Sequence, residues 1–542
     1  MDKFFKLPEK ILGRYIGERV KELYGAAPEV EVSYTDNFDF GDLTTNVAFS
    51  LAKVAKKAPV KIAEEIAAGD IPPIFSRADV VKGYINFWFA EKFLSDVAER
   101  IIAAPESWGF VDPGEEPKKI QVEFVSANPT GPLNVVSARA ATVGSVLVEA
   151  LRRLGHSVVA EYYINDAGNQ IRLLEESFVA RIRQVKGEDV PVPEDGYHGE
   201  YLLDYAREYV EAGEPGSPGE WILQRIISEQ KRVLERFRTH FDVWFSEREF
   251  RKSGKVEQVL RRLEEGGYTY KSGGALWFAA SKINPEVDDF VLVKSDGQWA
   301  YGLVDIAYHA HKFEERGFDI VYTILGPDHH GHKLRMETAM KALGHEGKLQ
   351  VLILQQVNLI EGGKRVMMSK RAGKLITMDV LIDEVGVDAA RYFFLSRRAE
   401  AHLDFDLDLA RDTSEENPVY YIQYAHARIR SILRFARNRG FDPDAVGDAD
   451  LSILTEPEEK LLLRKIVRFP SQIYTTARLM QPHIVPFYLL DLAKTFHNFY
   501  TKHRVVTEDS ALTAARIKLI RAVAETIKNG LNLCGISAPE QM

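Results

Sequence analysis

A strand that turns through glycine and proline into the first turn of a helix is a phosphate cradle in outline, and residues 120–143 follow that order. Ile120-Gln121-Val122-Glu123-Phe124 reads as the strand. Val125-Ser126-Ala127-Asn128-Pro129-Thr130-Gly131-Pro132-Leu133-Asn134-Val135-Val136-Ser137 leaves it, with Pro129, Gly131 and Pro132 imposing an irregular loop. Ala138, Ala140, Ala141 and Val143 then carry a helix that starts between Asn134 and Ser137. Unpaired amides at such a terminus carry partial positive charge, which suits the triphosphate of ATP. An ordinary strand-to-helix connection with Asn134 as a simple N-cap is the alternative. A second loop, Met367-Met368-Ser369-Lys370-Arg371-Ala372-Gly373-Lys374, lies between a strand expected over 349–360 and a helix expected from about Met378. Two adjacent cations on such a loop can close over phosphates and neutralise charge as a phosphoryl bond breaks. A solvated basic turn is the competing reading of that short segment by itself. Two such loops in one α/β region, in this order and far apart, favour the phosphate chemistry.

The surrounding pattern supplies the elements that must position these loops. From Ile120 the chain alternates strand, loop and helix, the signature of an open parallel sheet that binds nucleotides at its strands' carboxyl ends. Residues 1–112 mix short helices and strands and end in the alternating Val80–Phe89, read as one edge or half-buried strand, before the turn-rich Asp112–Pro117 linker. A charged, proline-broken stretch near 185–275 reads as a helical insertion that decorates the surface. After Asn417 the periodicity of Val419, Ile422, Ala425, Ile429, Ile432 and Leu433 is helical throughout. The expected architecture is therefore α/β, a Rossmann-like catalytic domain over 118–412 between a small α+β domain over 1–112 and an all-helical domain over 415–542.

Bulk properties set limits on function. The 542 residues, 45% hydrophobic and 27% charged, form a globular chain of roughly three or four domains. A single cysteine excludes an intramolecular disulfide framework and fits a reducing compartment, so the expected location is cytoplasmic. No run of about 18 apolar residues occurs, and the N-terminus does not read as a secretion signal, so no membrane partner is expected. A net charge of −9 means that any nucleic acid must meet local basic patches.

These segments resemble one family along nearly the whole chain. Residues 126–139 are similar to the class I aminoacyl-tRNA synthetase signature as arginyl-tRNA synthetases carry it, and 367–371 resembles the second signature, Lys-Met-Ser-Lys-Arg. Glu161–Ile171, Gly326–Gly331, Asn417–Arg428, Phe40–Ala48 and Gly535–Met542 resemble further arginyl-enzyme segments, including the N-terminal domain specific to those enzymes and the opening of their anticodon-binding domain.

The resemblance implies that arginine attacks the α-phosphate of ATP, giving arginyl-adenylate and pyrophosphate, and that the terminal ribose of the cognate tRNA then takes the arginyl group. It implies magnesium on the phosphates, a monomer, and tRNA bound before the adenylate forms. Ala127 to Ser137 and Met367, Met368, Ser369, Lys370 and Arg371 become the ATP-binding residues, with Lys370, Asn134 and Ser137 catalytic. Asp305 and Tyr301, one helical turn apart, resemble the acceptors of the arginine guanidinium, with Glu123, Ser126 and Asn128 as further arginine contacts. A metal cluster at Asp328, His329 and His330 is not expected.

Two departures stand out. Asn134-Val135-Val136-Ser137 replaces His-Val-Gly-His, removing two donors that can carry charge and placing a β-branched residue where a glycine would admit the base closely. Met367 stands at the first lysine position of the second signature. These leave an inactive tRNA- or arginine-binding paralogue as the alternative function. A different nucleotidyltransferase fits less well, because a small-molecule enzyme needs no helical domain rich in Arg428, Arg430, Arg434, Arg437, Arg439, Lys502, His503, Arg504, Arg516, Lys518 and Arg521, with Tyr420, Tyr421, Tyr424 and Tyr500 available to stack on bases.

Overall fold

The computed structural model describes residues 3–366 and 376–542. Its centre is a parallel sheet ordered Leu349–Ile353, Ile320–Leu325, Lys119–Glu123, Ser157–Ile164, Val243–Ser246. The first of these strands in the chain, Lys119–Glu123, lies in the middle, and its sequence is buried after the leading lysine, as a strand covered on both faces must be. The chain builds outward on one side of it and then crosses to the other. That reversal leaves a crevice at the carboxyl end of Lys119–Glu123, where residues 124–137 run. Helix Val135–Arg153 covers one face, and Gly144 lets it approach. A Cβ there would lie 2.2 Å from the ring of Phe124.

Three expectations need correction. Val80–Phe89 is not one strand: Phe75–Val81 and Tyr84–Phe89 form a hairpin through Lys82 and Gly83, whose φ values of 53° and 94° suit a tight turn. Tyr84–Phe89 is then interior in a four-stranded antiparallel sheet, and the edge is Phe75–Val81. The stretch 349–360 also divides. Leu349–Ile353 ends the central sheet, whereas Val357–Glu361 joins Lys364–Arg365 and Leu403–Asp406 in a separate one. The break falls at Gln355, whose amide turns to the Ala399 carbonyl at 2.9 Å. Lastly, the stretch 185–275 is more than decoration, because Val243–Ser246 within it is the outer strand of the central sheet. Four residues between charged helices are too few to show a strand period.

From Pro418 onward the regular elements are helices, five of them long: Pro418–Asn438, Pro457–Val467, Phe469–Leu479, Ile484–Lys502 and Ser510–Leu533. Their buried residues merge with those of the sheet domain and the N-terminal domain into one core. Charged side chains tie the same seams. Arg464 meets Asp42 at 3.0 Å. Buried Arg391 donates to the carbonyls of Cys534 (2.7 Å) and Phe237 (3.0 Å) and to the Ser145 hydroxyl (2.7 Å), so one side chain joins the sheet domain to the chain's last turn. Replacing Arg391 by Met leaves those carbonyls buried without donors, at roughly 1–3 kcal/mol each. The midpoint of thermal unfolding should drop clearly, and an unchanged midpoint would show that Arg391 does not hold this seam.

Candidate active site

The chain leaves strand Lys119–Glu123 under backbone strain. Val125 and Ser126 have φ values of 68° and 40°, a region that non-glycine residues avoid and that a β-branched valine enters only when its surroundings force it. The Tyr163 amide donates to the Ser126 hydroxyl (3.1 Å), and Asn165 donates to the Asn128 side chain (3.1 Å). The Tyr162 hydroxyl reaches the Ala127 carbonyl at 3.0 Å. The segment 161–166 therefore braces the loop that residues 126–133 form.

At the helix start, the Asn134 side-chain oxygen accepts from the amides of Val136 (2.9 Å) and Ser137 (3.1 Å), and the Ser137 hydroxyl lies 3.4 Å from the same atom. Asn134 is an N-cap, so two of the amides expected to face a phosphate are already occupied within the chain. Asn134 also bridges to Thr377, and the Met378 amide donates to the Leu133 carbonyl at 2.8 Å. Met367, Met368, Ser369, Lys370 and Arg371 lie outside the described residues. The chain emerges from them directly beside Leu133 and Asn134. Helix Met378–Phe394 starts there, and Arg232 (2.5 Å) and Arg236 (2.7 Å) clamp its Asp379.

Beside the loop lies a cluster of acidic side chains. Buried Glu123 accepts from Lys312 (2.6 Å) and from the Ser126 hydroxyl (3.3 Å), and lies 3.1 Å from the Tyr308 hydroxyl, which sits closer to Glu161 at 2.5 Å. Its charge is thus offset by a fully buried lysine. Glu161, also buried, is forked by Arg316 at 3.0 and 2.5 Å. Among the described residues Asp305 has no such partner. Its nearest base, His332, is 3.7 Å away, and burial with Glu247 and Glu123 nearby pushes its carboxyl up to about 7 despite Arg251 and Lys312. About 25% of that side chain still faces the cleft. Tyr301, four residues earlier on helix Tyr301–Glu314, is 55% exposed beside Gly168. Burial also lowers the His332 pKa to about 4, so His332 is neutral at pH 7 and leaves Asp305 uncompensated.

Glu123 and Ser126 are in contact, Asp305 stands close enough for the Glu123 charge to raise its carboxyl, Tyr301 is one helical turn before Asp305, and Asn128 lies in the same loop as Ser126. Sequence reasoning missed Glu247, Lys312, Tyr308 and Glu161. A signal existed for one of these: Glu161, like Glu123, is a carboxylate in an apolar strand, and such groups are buried only with partners.

A second surface lies on the helical domain. Arg428, Phe435, Arg439, Tyr500, Arg504 and Thr507 line a groove of about 750 Å³. The Arg428 guanidinium sits over the rings of Tyr424 (4.9 Å) and Tyr500 (5.4 Å). Several other expected RNA-facing cations serve the fold instead. Arg516 is buried on Glu459, Lys518 donates to the carbonyls of Gly447 and Ala449, and Arg521 donates to that of Pro443.

Residues 110–400 match the family described as tRNA synthetases class I (R), catalytic domain, residues 10–89 match Arginyl tRNA synthetase N terminal domain, and residues 422–542 match DALR anticodon binding domain. A nucleotide-binding parallel sheet with a proline- and glycine-rich loop at its switch point, followed by that helical domain, defines a class I aminoacyl-tRNA synthetase. The chain is 44% identical to an arginine–tRNA ligase of Carboxydothermus hydrogenoformans, over 98% of this chain and 100% of that one. It is likewise 44% identical to one of Caldanaerobacter subterraneus subsp. tengcongensis, over 95% and 94%. The Thermus thermophilus arginyl-tRNA synthetase structure shares the fold with a TM-score of 0.79, covering 99% of this chain and 100% of that one at 22% identity. The chain belongs to the arginyl-tRNA synthetase family, and its activity is arginine–tRNA ligation with ATP, arginine and tRNA as substrates. No helix among the described residues is long and apolar enough to cross a membrane.

Proposed function

We propose that the acidic cluster holds the arginine side chain and the loop beside it holds ATP. Asp305 takes the guanidinium as a fork of two N–H donors, and the Tyr301 hydroxyl accepts a further one. Glu123 adds negative potential that Lys312 only partly offsets, while Ser126 and Asn128 turn the amino-acid end toward the loop. Residues 127–137 carry the nucleotide, with Met367, Met368, Ser369, Lys370 and Arg371 closing over the phosphates from the Thr377 side. Lys370 is the cation that neutralises the phosphate charge, and Asn134 and Ser137 supply neutral donors. No residue of 126–137 is a carboxylate, so magnesium would arrive on the triphosphate rather than on protein ligands. Attack of the arginine carboxylate on the α-phosphate then needs alignment and charge neutralisation, with no covalent enzyme intermediate.

The observation that carries this reading is the surplus of carboxylates around Asp305, which a bound cation would relieve. Citrulline, the neutral isostere of arginine, tests it. Calorimetry should show arginine binding at least about a hundredfold tighter, and comparable affinities would contradict a guanidinium site at Asp305.

The tRNA lies across the helical domain, with unpaired anticodon bases stacking in the groove of Tyr500, Phe435 and Arg428. Replacing both Arg428 and Arg439 by Ala should weaken tRNA binding and flatten its salt dependence while arginine affinity stays unchanged. Unchanged tRNA affinity would remove the groove from the interface. Point variants suit this test better than truncation, because the helical domain shares its core with the catalytic one. The working units are residues 1–112, 118–412 and 415–542. The protein acts as a cytoplasmic monomer, in keeping with its one buried cysteine.

A further inference from the structure

We propose that Gln230, assisted by Tyr201, is a positioning residue that sets the shape of the ATP loop from outside it. The inference rests on the reading of residues 127–137 as the nucleotide site.

Gln230 is a polar side chain only 2% exposed on helix Pro218–Arg236, in the stretch whose sequence reads as surface decoration. A buried amide must spend both its ends. Two backbone carbonyls, which can only accept, face one end of the Gln230 amide and so fix which way it points, leaving its oxygen 2.9 Å from the Tyr162 hydroxyl that also reaches Ala127. Its Nε2 then faces the loop and donates to the carbonyls of Asn128 (3.3 Å) and Gly131 (3.1 Å). Between those two, the Tyr201 hydroxyl, carried by helix Glu200–Glu211, donates to the Thr130 carbonyl at 2.5 Å. The Tyr201 ring also lies where a Cβ on Gly131 would come within 3.2 Å, so glycine is what lets that ring close on the loop. Three carbonyls of the tetrad Asn128-Pro129-Thr130-Gly131 are thus held by side chains from two other helices.

The chain's atypical signature gives this bracing its consequence. Val136 and Ser137 lend their amides to Asn134, so the helix terminus offers a phosphate less than an open one would, and loop shape carries more of the nucleotide's placement. The same helix, through Arg232 and Arg236, also holds Asp379 on the far flank of the second signature. One helix therefore touches both the loop at 128–131 and the start of helix Met378–Phe394.

Steady-state aminoacylation by Gln230→Leu, Tyr201→Phe and Asn134→Ala, at a temperature where circular dichroism shows each fully folded, tests the assignment. Gln230→Leu should raise the KM for ATP about tenfold and leave the KM for arginine within about twofold. Tyr201→Phe, which loses one hydroxyl and keeps the ring, should shift ATP in the same direction by less, and it serves alone if Gln230→Leu does not fold. A rise in both KM values together would mean general loosening and would overturn the proposal. If Asn134→Ala raises the KM for ATP while Gln230→Leu and Tyr201→Phe do not, the positioning role fails alone. If none of the three moves it, the nucleotide reading of the loop fails as well.

Discussion

Replacing Asp305 by Asn should raise the KM for arginine between about 30-fold and a few thousandfold, the range expected when one partner of a desolvated charge pair is lost. The size follows from the cluster. Among the described residues Asp305 has no ion pair except His332 at 3.7 Å, while Glu123 and Glu247 raise its carboxyl more than Arg251 and Lys312 lower it, so it gains most from a guanidinium. The same placement gives a pH signature. With its carboxyl near 7 in the free protein, Asp305 takes up a proton as pH falls below that value, and the guanidinium then loses its counter-ion. Affinity for arginine should therefore weaken toward tenfold per pH unit below about 7. In the free protein the sign for stability is opposite. A carboxyl raised on folding favours the folded state at low pH, and that benefit is lost as pH rises through 7. Arginine should accordingly raise the thermal midpoint more at pH 8 than at pH 5.5, and Asp305→Asn should flatten that difference. Wild-type kinetics at limiting arginine would show that the guanidinium sits elsewhere.

Lys370→Ala should slow the chemical step about 10²–10³-fold while changing the KM for ATP far less. The charge that builds on the phosphates needs a cation in the transition state, and the first signature supplies only neutral donors at Asn134 and Ser137. Ser137→Ala should do less damage, since it removes a neutral donor whose hydroxyl lies 3.4 Å from Asn134 and leaves the cap in place. Pre-steady-state measurement with saturating ATP separates the effects. Equal losses in the two variants, or a loss confined to ATP binding, would contradict the assignment of Lys370.

Much of this arrangement was legible in the sequence because the signals were local. The order strand, Pro–Gly loop, helix placed residues 120–143 correctly, and the i,i+4 spacing put Tyr301 and Asp305 on one helix. Helical periodicity after Asn417 likewise became the helical domain. What failed was long-range. The four residues Val243–Ser246 become a strand only because Ser157–Ile164 offers them an edge. The apolar run 349–360 gives no sign that its two halves belong to different sheets. Gln230 falls in the stretch that reads as surface decoration and no local pattern marks Lys312, because what buries them is a partner about a hundred or more positions away, Asn128 for one and Glu123 for the other. The cations after Asn417 looked alike in sequence, yet Arg428 faces the groove and Arg516 does not.

The central claim is that Asn134-Val135-Val136-Ser137 supports catalysis in place of the family's usual signature. The direct measurement is charging of cognate tRNA with labelled arginine and ATP by the purified protein, with tRNA present from the start. The account predicts arginyl-tRNA, formed with release of one pyrophosphate per arginine transferred. Folded protein that binds both arginine and tRNA but yields no charged product would contradict it.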